Sequence, residues 1–473
     1  MADEAGTVLT ERAKDTVTVE SPRIRPRNES ISQPRRRWTD WLLAGALILS
    51  SLVVGLVQVP GHEMVSPIDE YVYIDYLAKV PAEIVRHGEE TGDYARETLM
   101  CRGVRALGFY GDDLCATAAT NQDSVYPMGG TNSADIYTPL YFVATWALAQ
   151  PVQWLGVSDL TNAGRFTGWV WLAVAAVLLY FTLRRLRVRP SVAFGLPLLM
   201  VSSLPAYWSN TYISTDATAL LAGSLMVFLA VRFETGVRRS LWIIPIAATL
   251  MTLFKLQNFG AVAVVVLFLL VRAGWDAWEQ TELPVGRRLL SWLRDKRVLC
   301  AAVALIAPLL SQGIWLVIRS RIAVGEGGDQ GTSTSFGLGS VLTEMFKFLV
   351  GPANGALEAG FFGVIGIVLA AVVSWVSVAG VIGVIASSPR RSIGEVLGIS
   401  ALIVSLLIGP ALAVATIVST GYYFTLPTRY GISLIPIFFA CAGLLVTPKP
   451  FVGRLLSGVC VAAFAISLLL PQA

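Results

Sequence analysis

Charge is what this sequence has least of. Only 14% of its 473 residues are Asp, Glu, Lys or Arg, while 55% are hydrophobic and the mean hydropathy is +0.64. Soluble domains carry about 25% charged residues, so water is excluded as the solvent for most of the chain. Histidine is scarce, with only His62 and His87. Glu63 lies beside His62, but no cluster with metal-ligand spacing surrounds it, and no structural metal is expected. Five cysteines are too few and too scattered for a disulfide scaffold or a zinc ribbon. Cys300, Cys441 and Cys460 lie in apolar runs and read as small core residues. Cys101 and Cys115 share one polar loop, where a disulfide and two free thiols fit equally well. The stretch Gly325–Gly331 lacks the Gly-Lys-Thr/Ser ending of a phosphate loop and reads as a flexible loop or lid. No nucleic-acid module, no repeat of about 20–50 residues and no inverted pair of broken helices is visible.

What the chain does have is a series of apolar runs long enough to cross about 30 Å of hydrocarbon as helices. They fall near 41–59, 166–184, 191–208, 212–232, 240–254, 258–272, 298–318, 359–385, 395–418, 429–446 and 451–470. The runs 240–254 and 258–272 are short, and Lys255-Leu256-Gln257-Asn258 separates them, so one broken helix is an alternative there. The expected fold is all-α and polytopic, with eleven spans over 38–473. Residues 1–37 are polar and aperiodic and predict a disordered cytoplasmic tail. They show neither the basic start nor the early apolar core of a cleavable signal.

Lys and Arg collect on the cytoplasmic side of membrane proteins. Arg35-Arg36-Arg37 therefore places the N-terminus inside, in the cytoplasmic membrane of a multi-pass protein. Alternating from there, Arg184 to Arg189, Arg232 to Arg239, Arg272 to Arg297, Arg390-Arg391 and Lys449 with Arg454 all fall inside, provided that 137–156 does not cross once. That segment, with Pro139, Gln150, Pro151 and Gln153, is expected to be interfacial, re-entrant or a hairpin. Two long loops then face outward, 60–165 and 319–358, and a basic amphipathic stretch, 276–297, faces inward.

The first outer loop opens with Gly61 to Tyr76, in which Pro67-Ile68-Asp69-Glu70 brings two carboxylates together beyond the first span. Tyr71, Ile74 and Leu77 make an apolar stripe at helical spacing, which predicts an amphipathic helix lying on the membrane. Acids at its start are favoured by the helix dipole without any further role. Asp216 follows Ser214-Thr215 at another predicted helix start, where N-capping competes with function. Asp75 reads as solvated, and Lys79, Arg86, Arg96, Arg102 and Arg105 as surface charges. Glu344 and Glu358 flank the second outer loop, within reach of an acceptor.

Six stretches, in this order, resemble the GT-C superfamily of membrane glycosyltransferases, which use polyprenyl-phosphate sugars. They are Pro67-Ile68-Asp69-Glu70; Tyr137-Thr138-Pro139-Leu140-Tyr141-Phe142; Ala163-Gly164-Arg165-Phe166; Ser214-Thr215-Asp216-Ala217; Thr252-Leu253-Phe254-Lys255; and Thr428-Arg429-Tyr430-Gly431 through Pro436. The protein-mannosyltransferase and aminoarabinose-transferase-like branch is the most similar. The chain departs from it at Tyr137-Thr138, where that branch has a His or a second Pro, and in having no large C-terminal soluble domain.

The resemblance implies transfer of a monosaccharide from a polyprenyl-phosphate donor to an extracytoplasmic envelope glycan, lipid or protein. Asp69 would be the general base, and Glu70 would orient the acceptor or exchange roles with it. Direct displacement with one base inverts the anomeric centre, unlike retention with two opposed carboxylates. Lys255, Arg429 and Arg165 are cations that break the positive-inside pattern at predicted outer surfaces. Such residues are functional suspects, Lys255 and Arg429 more than Arg165, with snorkelling to headgroups as the competing explanation. With Asp216, Tyr430 and Tyr137 they form the implied substrate-binding set. No cofactor is implied, though Asp69 or Glu70 is suited to hold a divalent ion against a substrate phosphate. The competing classes are a transporter or flippase for lipid-linked glycans, which predicts charges deep within several spans, and a non-catalytic subunit of an envelope assembly.

Overall fold

A chain whose solvent is lipid must satisfy each backbone N–H and C=O internally, and a helix does so within one segment. The computed structural model describes residues 38–104, 108, 115, 122–279, 281–327, 334–420 and 422–471. The expected tail 1–37, Arg105 and the 328–331 part of the Gly-rich loop lie outside them. Among the described residues the protein is all-helical, and its only extended pairings are two isolated bridges, Glu90 with Thr131 and Thr334 with Tyr423.

It is a multi-pass membrane protein. Nine helical stretches among the described residues are long and apolar enough to cross a bilayer: Trp38–Gly61, Leu160–Arg185, Thr215–Glu234, Leu256–Trp278, Lys296–Arg321, Leu338–Ser387, Ile393–Val418, Thr428–Val446 and Pro450–Ser467. The expected run 191–208 is not one straight helix. It breaks into Pro190–Val201 and Leu204–Asn210, bent by 54°, because Ser203 turns extended and caps the second piece at Ala206 N. The run 240–254 is a helix, Ser240–Phe254, of 15 residues, short of the roughly 20 that a span needs. Segment 137–156 forms the helix Leu140–Trp154 with Pro151 inside it, also 15 residues long.

The segment 60–165, expected as the first outer loop, departs most from expectation. The Glu70–Lys79 helix does not lie on the surface with one face in water, since Glu70 through Leu77 are all buried. Thr91, Gly92, Asn132 and Phe142 close over it. Asn132 Nδ2 donates to Val72 O at 3.1 Å and to Asp75 Oδ2 at 2.7 Å, and Phe142 stacks on Tyr76 at 4.1 Å. Asp75 is therefore not solvated; it also accepts from Gly92 N and pairs with Lys79 at 3.0 Å. Arg96 is buried rather than a surface charge, paired with Asp123 at 2.8 Å over the Tyr126 ring. Cys101 and Cys115 form a disulfide within the same loop.

One close approach sets the geometry of the centre. A Cβ on Gly223 would lie 2.1 Å from Ser433 O, so only glycine lets the Ala219–Glu234 helix meet the turn Thr428–Leu434. That contact brings Asp216, just before the helix, and Arg429, within the turn, to the same place.

Candidate active site

Asp69 stands at the entry to the Glu70–Lys79 helix with φ 56° and ψ 0°, and its side chain caps nothing. The left-handed region costs an L residue about 1–2 kcal/mol, and Asp is among the few that visit it. The conformation frees the carboxylate from the helix end and turns it elsewhere. Its Oδ2 accepts from Arg429 Nη2 at 2.7 Å, with Tyr73 Oη at 3.5 Å. A third of the Asp69 side chain stays exposed.

Asp216 likewise leaves capping to a neighbour. Ser214 Oγ accepts from Asp216 N at 3.2 Å, and the Asp216 carboxylate takes Lys255 Nζ at 2.6 Å, with Arg429 Nε at 3.5 Å. Lys255 follows the last turn of the Ser240–Phe254 helix with an extended backbone, which swings its ammonium inward. It is buried between the rings of Tyr430 and Tyr137, 5.5 and 5.7 Å from their centroids. Burial holds its pKa below the ordinary lysine value, and Asp216 opposes that shift. Four chain segments thus supply two carboxylates and two cations in one row: Asp69, Arg429, Asp216, Lys255.

Glu70 points the other way. Arg165 Nε donates to Oε1 and Nη2 to Oε2, each at 2.8 Å, while Ile213 N reaches Oε1 at 3.0 Å and Ser66 N reaches Oε2 at 2.7 Å. Neither side chain of the Glu70–Arg165 pair is exposed. Arg165 uses its remaining donors on His62 O and Met64 O. His62 completes this sealed side, stacked on Tyr212 at 3.9 Å with Nε2 2.8 Å from Thr211 Oγ1. Burial, then the Arg165 charge, pushes its pKa well below the ordinary value, so the ring is neutral.

Of the residues singled out in the sequence, Asp69, Asp216, Lys255, Arg429, Tyr137 and Tyr430 come together. Glu70 and Arg165 meet each other instead. Glu344 is buried and accepts from Tyr423 Oη, Leu426 N and Lys347 Nζ, which anchors the stretch leading to Arg429. Glu358 is exposed. Tyr73 was missed, although its place four residues after Asp69 on a helix puts the two on one face. A pocket opens beside the row, lined by Ser66, Ile68, Trp208, Ser209, Tyr212, Ser214, Asp216, Ala356, Arg429 and Ile432. Two buried donors of its wall, Trp208 Nε1 and Arg429 Nε, make no hydrogen bond. Such orphaned donors call for an acceptor. Among the described residues no three His, Cys, Asp or Glu side chains group as metal ligands. Comparison of the chain with protein-family models and with the curated proteins found no match.

Proposed function

We propose that the protein is an inverting membrane glycosyltransferase of the GT-C kind. It transfers a monosaccharide from a polyprenyl-phosphate donor to an extracytoplasmic envelope acceptor. The observation that carries this reading is the row itself, in which the partly open Asp69 meets Arg429, Asp216 meets the buried Lys255, and Arg429 and Asp216 line a pocket whose wall holds donors without a hydrogen bond. Transfer needs those parts and little else. Asp69 takes the proton from an acceptor hydroxyl, whose oxygen attacks the anomeric carbon as the bond to the donor phosphate breaks. The electron pair leaves on the phosphate oxygen, where Arg429 and Lys255 meet the developing charge.

An arriving phosphate competes with Asp69 for Arg429 and with Asp216 for Lys255. Binding of the donor therefore releases the base. Glu70 and Arg165, saturated by one another and by backbone groups, act at a distance by fixing the loop that presents Asp69. This reading takes the N-terminus as cytoplasmic, eleven crossings, and the loops 60–165 and 319–358 as outward. Cysteine-accessibility mapping of both loops checks that orientation.

The direct test uses purified protein with a panel of short-chain polyprenyl-phosphate monosaccharides and envelope extract as acceptor. Release of polyprenyl phosphate from one donor, lost in Asp69→Asn, is the expected result and names the sugar. If no donor turns over while the folded protein still retains one, the row is a binding site, and a transporter or flippase takes the place of the enzyme.

A further inference from the structure

The short helix Val285–Leu293 lies between two membrane-long stretches, Leu256–Trp278 and Lys296–Arg321. At 3.6 residues per turn, Val285, Leu289 and Leu293 fall on one face with Leu290 beside them, and Arg287, Ser291 and Arg294 fall on the other. No residue of this helix is buried. Val285 is 68% exposed, Leu293 54% and Leu289 44%, so much of the apolar row is left uncovered by the protein. The helix is nevertheless held in place. Trp292 Nε1 donates to Leu270 O at 3.2 Å, Asp295 caps the following helix at Arg297 N, and Arg288 turns back onto the carbonyls of Thr281 and Leu283.

The cations divide in two. Arg297 is spent on Asp276 and Asp295 at 2.7 Å each. Arg287, Arg294 and Lys296 are exposed, and among the described residues none of the three is in an ion pair. A largely exposed aliphatic row with Arg287 and Arg294 opposite and Lys296 at the start of the next helix, tethered at both ends to membrane-long stretches, suits the boundary between hydrocarbon and headgroup. Charge decides what covers it: Asp276, Glu279 and Asp295 are already paired, and three free cations against the single remaining exposed acid Glu282 fit an anionic surface.

We infer that Val285–Leu293 is a membrane-surface helix that gathers anionic lipid. Val285, Leu289 and Leu293 enter the acyl chains, and Arg287, Arg294 and Lys296 hold headgroup phosphates. This rests only on the membrane-spanning helices and not on the enzymatic reading. Interfacial helices of this kind combine apolar insertion with attraction to anionic lipid, and each basic residue near such a surface contributes roughly five-fold in affinity.

The test uses full-length protein in nanodiscs of phosphatidylcholine, alone or mixed with phosphatidylglycerol. Single cysteines placed by Leu289→Cys, Leu293→Cys and Ser291→Cys carry a fluorophore; the native free thiols Cys300, Cys441 and Cys460 are buried. Lipid-borne quencher is expected to quench 289 and 293 but not 291. Equal quenching of all three by aqueous iodide overturns the placement and leaves the face to a soluble partner. Native mass spectrometry then reads retained lipid. The triple variant Arg287→Gln, Arg294→Gln, Lys296→Gln is expected to lose phosphatidylglycerol affinity by on the order of 100-fold while the quenching pattern persists. Unchanged enrichment, or loss of bound phosphatidylglycerol to inorganic phosphate alone, overturns the lipid assignment.

Discussion

Asp69 and Glu70 are adjacent, equally charged and each matched with an arginine, yet their surroundings are opposite. Glu70 has four donors on its two oxygens and no exposure. Asp69 has one short contact, a left-handed backbone and a third of its side chain open. A carboxylate with every lone pair engaged has nothing left for a ligand. One with a single partner, itself shared with Asp216, can exchange that partner. Saturation, rather than charge, separates an acid closed to ligands from one open to them here.

The contrast can be broken at either member. The largest effect is expected from Asp69→Asn, which keeps the shape but removes the base. Sugar transfer should fall by on the order of 10²–10⁴-fold, while stability changes by less than about 1 kcal/mol. Glu70→Gln should do the reverse: stranding Arg165 in a buried site costs about 3–5 kcal/mol, read as a lower melting temperature in detergent. If Glu70→Gln melts like the parent chain, the sealed side is not structural and the contrast fails.

Asp216 and Lys255 sharpen it. Both are buried but face the row, so Asp216→Asn and Lys255→Met should each destabilise more than their double variant implies. The expected coupling is about 0.5–3 kcal/mol in a double-mutant cycle. Acid should loosen the sealed side. The unfolded chain binds a proton at His62 near the ordinary value of about 6.5, and the folded chain does not until much lower pH. Stability is therefore full above that value and falls below it, by up to about 1.4 kcal/mol per pH unit from this group, and His62→Gln should remove that portion of the slope. The smallest effect belongs to Tyr73→Phe. Its contacts to Asp69 and Tyr137 are long, 3.5 and 3.4 Å, and should be worth less than about 1 kcal/mol in either stability or rate.

Much of the helical framework was legible because lipid imposes a local rule: an apolar run of sufficient length becomes a helix. The break at Ser203 was also written locally, in Ser202-Ser203-Leu204-Pro205, but a run judged by hydropathy alone passes over it. Period failed for the Glu70–Lys79 helix. The stripe of Tyr71, Ile74 and Leu77 gave one apolar face, whereas Asn132, the Gly92 N–H and Lys79 satisfy Asp75 on the polar face so well that it is buried too. A loop that wraps a helix has no period to read. The row of charges was visible only as suspects, namely cations where the inside rule forbids them and acids at helix starts. That Arg429 would find Asp69, and Arg165 would find Glu70, depends on packing such as the Gly223–Ser433 contact, which spacing along the chain does not encode.

The two pairs also differ in when they can exist. Arg165 follows Glu70 by 95 residues, and Arg429 follows Asp69 by 360. At about 5–20 residues per second of synthesis, the sealed pair has both partners within roughly 5–19 s, and the open one only after roughly 18–72 s. The scaffold around Asp69 can thus close while the ribosome is still far from Arg429. Until the penultimate apolar segment is made, the chain has a shaped outer loop and an acid without its cation. If the row performs the proposed transfer, a nascent or truncated chain is inert at this site, and competence arrives only near the end of translation.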